Sequence, residues 1–291
     1  MNSDDNGGSR PIQIVVTLVA LVMSLALMVM GVQLYTSLDD KNREALQHAS
    51  TAFSHVQQQT FSYARMISRN AVVQRGAWFN NTGMVLDYSV SVLKELQVDR
   101  ISVQNRTGVI LAQAHAPQEF NLDDGKNPSF QSAKEGKTTS RVIRADEGFV
   151  IQTTSPIFHE TEKNRFVGAV TVGYLLNDKL SGLLRNLSGV DVLIIKGKEV
   201  VSSSLPAVTK TVLKEVPGTQ NLGSASMDVW ATPIQAEGLR DLHLGVALNN
   251  TRIKLIFFWI MLFIPVLIVL MVQRSGGAPM DAHSLTAKPP R

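Results

Sequence analysis

The sequence contains no cysteine among its 291 residues. This absence excludes disulfide frameworks, thiolate metal sites and cysteine nucleophiles. Secreted eukaryotic domains of this size commonly carry disulfides, so the absence also favours a bacterial source.

Concentrated positive charge is missing as well. The formal net charge is +4, but the Lys and Arg residues are scattered, and aromatic residues make up only 6% of the chain. No basic stripe interleaved with aromatic residues is present, so we do not expect nucleic-acid binding. The mild basicity indicates at most a bias towards small anions.

The sequence also lacks the residue patterns that are typical of enzymes. Ser155 and His159 are close in sequence, but no Gly-x-Ser-x-Gly turn surrounds the serine. The histidines have no metal-ligand spacing. The carboxylate pairs Asp123-Asp124 and Asp146-Glu147 lie in polar segments, where solvated surface is the ordinary interpretation. We therefore predict no catalytic residue, no metal site and no cofactor.

Two long uncharged apolar segments are present, Ile14–Val32 and Leu255–Val272. Each is close to the roughly 20 residues that cross a bilayer core. A cleaved signal peptide is the alternative for the first segment, but its apolar run is long and no small-x-small cleavage site follows. We predict two transmembrane helices in a bacterial inner membrane. Both termini are then cytoplasmic, and the long intervening segment is periplasmic or extracellular.

The period of the apolar residues changes along the intervening segment. From Leu38 to about Val73 they recur at steps of three and four, which predicts a long amphipathic helix. Met84–Leu96 predicts a second, shorter helix. A period of two then predicts about five antiparallel strands, with a loop and a short helix after the second strand. The predicted strands are Arg100–Val103, Val109–Ala114, Thr138–Arg144, Phe149–Pro156 and Phe166–Tyr174.

Several short motifs occur in this order of elements. They are the strand-turn-strand Val103–Ala112, His115-Ala116-Pro117, the helix Asn127–Gly136, Thr154-Ser155-Pro156-Ile157 and Val167–Tyr174. Together they resemble the Cache domains, which are PAS-like extracytoplasmic sensors of bacterial chemoreceptors and sensor histidine kinases. The resemblance covers roughly Ser37–Leu180.

The remaining segment resembles a reduced repeat of the same pattern. Asp191–Ile195 with Glu199–Ser203, and Met227–Pro233 with Leu242–Leu248, predict two further hairpins after a linking helix at Asn177–Leu187. This arrangement is similar to that of double Cache proteins.

We therefore predict an α+β fold flanked by two transmembrane helices. A long N-terminal helix packs on an antiparallel PAS-like sheet, and a smaller membrane-proximal α+β module follows. The predicted boundaries are a cytoplasmic tail at 1–10, a transmembrane helix at 11–33, a membrane-distal sensor domain at 34–180, a reduced membrane-proximal module at 181–253, a transmembrane helix at 254–273 and a disordered cytoplasmic tail at 274–291.

The resemblance implies that the first module binds a small ligand without covalent chemistry. Arg141 and Arg144 point to opposite faces of one strand, and either is suited to gripping a carboxylate bidentately. The amino-acid-binding pattern of the family, with an aromatic-rich helix and a characteristic Asp, is not found, so small organic acids are favoured. The predicted ligand-binding residues are His115, Arg141, Arg144, Gln152, Thr154 and Tyr174.

The expected partners follow from the same resemblance. No heptads occur after the second span, so we expect the signal to pass to a separate membrane or cytoplasmic partner. We also expect a homodimer formed through the Leu38–Val73 helix. Two alternatives stay open: a chemoreceptor or kinase sensor half without its output, and a scaffolding subunit that uses the Cache-like fold for protein contact.

Overall fold

The computed structural model of the chain describes residues 9–162, 164–223, 225–234 and 241–275. The chain divides into two compact units, Asn42–Asn249 and the pair of segments Met1–Lys41 and Asn250–Arg291. The predicted terminal tails lie almost entirely outside the described residues.

Three helices precede the first strand: α1 (Ser9–Ser68), α2 (Ala71–Phe79) and α3 (Thr82–Leu96). The predicted end of the long helix at Val73 is wrong, because α1 ends at Ser68. Asn70 causes the break, since its backbone is extended and its side chain accepts a hydrogen bond from the backbone N–H of Val72. The second predicted helix is confirmed as α3, which Asn81 caps.

The first sheet is antiparallel and has the order β2-β1-β5-β4-β3. Its strands are β1 (Arg100–Asn105), β2 (Ile110–Gln113), β3 (Thr139–Ala145), β4 (Gly148–Phe158) and β5 (Phe166–Leu175). The predicted loop-and-helix excursion after β2 contains α4 (Pro128–Lys134). The five predicted strands of this segment are therefore confirmed.

One face of this sheet packs against α1. Ile101, Ile151 and Val172 are fully buried on it, within one hydrophobic cluster that includes α1 side chains. The hydroxyls of Thr60 on α1 and Thr153 on β4 lie 2.8 Å apart inside this core. The apolar stripe of α1 is thus core material for its own sheet.

A second antiparallel sheet follows α5 (Asp178–Ser188) and has the order β7-β6-β10-β9-β8. Its strands are β6 (Asp191–Lys196), β7 (Glu199–Ser203), β8 (Gly218–Leu222), β9 (Ala225–Pro233) and β10 (Leu242–Leu248). The order repeats that of the first sheet. Both sheets belong to the same compact unit, so the division into two modules stays a prediction.

The sequence analysis missed β8. Its residues, Gly-Thr-Gln-Asn-Leu, have few apolar side chains, and it pairs with β9 alone at the edge of the sheet. An edge strand with little buried surface leaves only a weak period in the sequence.

The other compact unit contains the N-terminal part of α1 and the helix α6 (Thr251–Ser275). Gly31 lets α1 approach α6 closely. A Cβ atom at this position would lie 2.7 Å from Cε1 of Phe257 and 2.8 Å from Cε of Met261, both on α6. Among the described residues, one helix, Leu21–Ser68 within α1, is long and apolar enough to cross a membrane. The apolar stretch found in α6, Ile253–Ile264, is shorter, so the second span stays a prediction.

Candidate functional site

The first sheet has a polar face on the side opposite α1. Residues two apart on a strand share a face, and the strand register aligns two polar rows on it. One row is Gln113, Ser102, Thr171, Thr154 and Thr139. The other is Arg100, Gly173, Gln152 and Arg141. The segment that covers a polar sheet face of this kind must offer groups that can hydrogen-bond to it.

A cavity of about 470 Å³ lies on this polar face, and we call it the sheet cavity. Its size is within the ordinary range for small-molecule sites. Strands and the loop after β2 both line it. The polar side chains in its lining are those of Arg100, Ser102, Gln113, His115, Glu119, Asp124, Asn127, Arg144, Asp146, Glu147, Gln152 and Thr171.

Arg100 organises one part of the sheet cavity. Its Nε donates to Nε2 of His115 at 3.1 Å, and its Nη1 donates to Glu147 at 2.9 Å. Because Nε2 of His115 accepts this bond, the proton of the neutral ring is on Nδ1. Burial lowers the pKa of His115, and the neighbouring Arg100 charge lowers it further. The remaining guanidinium N–H groups of Arg100 are suited to a carboxylate.

Asp124 supplies the opposite charge. The side chain of Gln104 donates to its Oδ2 at 2.6 Å, and Nδ2 of Asn127 lies 3.3 and 3.2 Å from its two oxygens. Burial raises the pKa of the Asp124 carboxyl, while these amide hydrogen bonds act against the increase. The sheet cavity therefore combines the guanidinium group of Arg100 with a fixed, partly buried carboxyl group.

Three of the six predicted ligand residues, His115, Arg144 and Gln152, line the sheet cavity. Arg144, however, pairs with Phe149, whose side chain is part of the α1-side core, so strand alternation directs the Arg144 guanidinium to the opposite face of the sheet. Arg141 lies opposite Gln152 on the same face of the sheet. Thr154 is buried on that face, and its Oγ1 shares a hydrogen bond of 2.9 Å with Oγ1 of Thr171.

Tyr174 lies elsewhere. It alternates to the α1 side of β5 and lines a separate cavity of about 950 Å³ together with Tyr63 and Lys179. Burial there raises the pKa of Tyr174 to about 12, with smaller contributions from Tyr63 and Asp99. The ligand roles of all six residues stay predictions.

The sequence analysis did not identify Arg100 or Asp124 as candidate ligand residues of the sheet cavity. Arg100, Ser102 and Gln104 alternate with Ile101 and Val103, and this period of two could have identified the polar face. Asp124 was interpreted as solvated surface. No local sequence pattern distinguishes Asp124 from a surface carboxylate. Its position depends on the loop folding back onto the turn after β1, where the backbone N–H of Asp124 donates to the carbonyl of Gly108 at 3.0 Å.

Within the described ranges, no group of three or more His, Asp or Glu residues is placed to hold a metal ion. The polar groups of the sheet cavity are instead arranged as hydrogen-bond partners.

The chain was compared with known proteins and structures. No protein-family model matches it, and no curated protein matches it. Its structure is similar to the sensor domain of the histidine kinase DctB from V. cholerae, with a TM-score of 0.52 and 14% identity over 74% of this chain and 98% of that one. The chain therefore shares its fold with this sensor domain, in agreement with the Cache-like fold predicted from the sequence.

Two further sensor structures agree with this assignment of the Cache-like fold. The periplasmic domain of LuxQ from Vibrio cholerae has a TM-score of 0.50 at 15% identity and covers 72% of this chain and 99% of that one. The ligand-binding domain of the Campylobacter jejuni chemoreceptor Tlp3, solved with L-valine, has a TM-score of 0.53 at 12% identity and covers 77% of this chain and 97% of that one. At these identities the similarity is one of fold.

Proposed function

We propose that this Cache-like chain is a membrane-anchored, extracytoplasmic sensor that binds a small carboxylate-bearing molecule in the sheet cavity. The observation that carries the proposal is the position of Arg100, beside His115 and Gln152, in a cavity on the polar face of the sheet. A guanidinium group binds a carboxylate through two parallel hydrogen bonds, so Arg100 favours an acidic ligand.

The charge of the sheet cavity narrows the ligand further. Glu119, Asp124, Asp146 and Glu147 line it beside Arg100. A ligand with several negative charges would meet these four carboxyl groups and the single guanidinium group of Arg100. A monocarboxylate, or an acid with a hydrogen-bond donor for Asp124, fits this balance better.

A zwitterionic amino acid is the second candidate ligand. Asp124 favours it, because a carboxylate held by Gln104 and Asn127 is suited to a protonated amine. The Campylobacter chemoreceptor domain with the similar fold was solved with L-valine. Because the sequence analysis favoured organic acids, organic acids and amino acids are both titrated in the experiment below.

The remaining parts of the proposal concern the membrane and the partners. The apolar helix Leu21–Ser68 supports one membrane anchor, and the second anchor is proposed from the sequence of α6. Homodimerisation through α1 and transfer of the signal to a separate partner are proposed on the resemblance alone. A scaffolding role is the alternative that ligand screening would distinguish.

Calorimetric titration of the detergent-solubilised full chain tests the ligand assignment. The titrants are small mono- and dicarboxylic acids and the neutral amino acids. We expect one class to bind, and expect Arg100→Ala to weaken it about ten-fold or more, because a charge-assisted hydrogen bond is lost.

Arg43→Ala is the matched control, since Arg43 is exposed on α1 and distant in sequence from the sheet. If neither acids nor amino acids bind, the sensor assignment fails in favour of a scaffold. If a ligand binds but Arg100→Ala leaves its affinity unchanged, the sheet cavity is not its site.

A further inference from the structure

A further polar cavity lies on the α1 side of the first sheet, separate from the sheet cavity and from the cavity that Tyr174 lines. It has a volume of about 520 Å³, and we call it the helix-side cavity. The end of α1, the start of α2, the loop before β3 and β4 all line it. The residues that matter for its chemistry are Arg65, Arg69, Ser68, Thr138, Ser155 and His159.

The helix-side cavity has an excess of positive charge. Arg65 and Arg69 are exposed and one helical turn apart at the end of α1, and neither forms an ion pair with any residue that the structure describes. Among the described lining residues the only carboxylate is Glu160, which Arg75 already holds through bonds of 2.8 and 3.1 Å. Two uncompensated guanidinium groups at one cavity favour an anion.

Buried hydroxyl groups form the floor of this cavity. Ser155 and Ser68 are 2% and 5% exposed. The hydroxyl of Ser68 donates to the carbonyl of Arg65 at 3.0 Å, so its proton is not available for a ligand. Ser155 is 3.4 Å from the Ser68 oxygen and 3.2 Å from the Thr138 oxygen. Both separations exceed the roughly 2.7–2.8 Å of a well-formed O–H···O bond.

Among the described residues, the hydroxyls of Ser155 and Thr138 have only these two long side-chain contacts, and Thr138 is half-buried. A ligand oxygen in the cavity would accept one of these hydroxyl protons at a normal distance. His159 also lines the cavity.

We propose that the helix-side cavity binds a tetrahedral oxyanion, a phosphate or sulfate group, between Arg65, Arg69 and the hydroxyls of Ser155 and Thr138. The number of donors favours this class over a carboxylate. Two planar guanidinium forks and two hydroxyls exceed what the two oxygens of a carboxylate accept, whereas a phosphate or sulfate offers three or four oxygens. This site is independent of the sheet cavity, and its ligand would act as a second input to the same unit.

The test is calorimetric titration of the detergent-solubilised full chain with inorganic phosphate and with sulfate. Ionic strength is held constant with chloride, and acetate and succinate serve as carboxylate titrants. We expect saturable binding of phosphate or sulfate. The double variant Arg65→Ala/Arg69→Ala should weaken binding about a hundred-fold, and Ser155→Ala about ten-fold, because each removes hydrogen bonds to a charged group.

Three control variants show whether binding depends on these residues in particular. Arg43→Ala removes an exposed arginine from the same helix and should leave binding unchanged. Arg100→Ala should also leave it unchanged, which distinguishes this site from the sheet cavity. Arg65→Lys/Arg69→Lys keeps the charge but not the planar fork, and should restore part of the affinity.

Several outcomes would overturn the proposal. They are the absence of saturable heat with both oxyanions, equal affinity in the double alanine variant, and binding of carboxylates in place of phosphate and sulfate. Capture of an acidic protein by Arg65 and Arg69 without any binding of small oxyanions would assign these residues to a protein interface instead.

Discussion

The buried hydroxyl pair between α1 and β4 predicts that replacing one threonine destabilises the protein more than replacing the other. Thr60 and Thr153 are both fully buried, and their hydroxyl oxygens lie 2.8 Å apart. Thr60 also lies 2.7 Å from the carbonyl oxygen of Gln57, to which it donates. Its single proton is therefore used there, and Thr153 must be the donor between the two threonines.

Thr60→Val and Thr153→Val should consequently differ. Valine has the shape of threonine, so neither variant leaves a large void. Thr60→Val leaves the buried Thr153 proton without its acceptor, which costs about 2 kcal/mol. Thr153→Val leaves the bond from Thr60 to Gln57 intact, so it should cost clearly less. The double variant leaves no buried donor without an acceptor, so its stability should resemble that of Thr153→Val.

Thermal unfolding of the full chain in a single detergent measures these differences. For a unit of this size, 2 kcal/mol corresponds to a decrease in Tm of about 4–8 °C for Thr60→Val. Thr51→Val is the control, because Thr51 is exposed on the same helix. The assignment of Thr153 as donor is refuted if Thr153→Val destabilises as much as Thr60→Val, or if the double variant is the least stable of the three.

Two further predictions concern pH and backbone packing. Because the pKa of His115 is lowered from 6.5 by burial and by Arg100, the unfolded chain takes up the proton more readily than the folded chain. The stabilisation from neutral His115 is therefore complete above pH 6.5 and is lost as the pH falls below it. Melting curves of wild type and His115→Gln should show a smaller acid-induced decrease in the variant, and identical pH slopes would exclude this role. Gly168→Ala would place a Cβ atom 2.1 Å from the carbonyl oxygen of Gln104, so we expect the loss of folded protein in detergent extracts; Gly182→Ala, where nothing lies within 4 Å, is its control.

Much of the first sheet was predictable because its signals are local. The turn between β1 and β2 is an example. Asn105 Oδ1 accepts bonds from the backbone N–H groups of Thr107 and Val109, and Gly108 has a φ of +94°. Asn and Gly in this spacing indicate such a turn from sequence. The end of α1 was missed because Asn70, a cap for α2, does not interrupt the apolar period that precedes it.

The binding site was predictable only in part. Gln152 and Thr154 were placed on one face by strand alternation alone. The position of Arg100 beside Gln152 was not predicted. Arg100 is distant in sequence and reaches the row of Gln152 only through Gly173 on β5. Alternation also could not say which face of β5 the ligand would use, and Tyr174 proved to lie on the α1 side.

By itself the sequence determined the apolar segments, the order of helices and strands, and the absence of cysteine chemistry. Each of these depends on neighbouring residues, whose periods and lengths are set by backbone geometry. Only the tertiary structure decided which polar groups share a cavity: Arg100 with Asp124 on one side of the sheet, and Arg65 with Ser155 on the other. Such contacts depend on strand register and on the path of loops, and these are settled by the packing of segments that are distant in the chain.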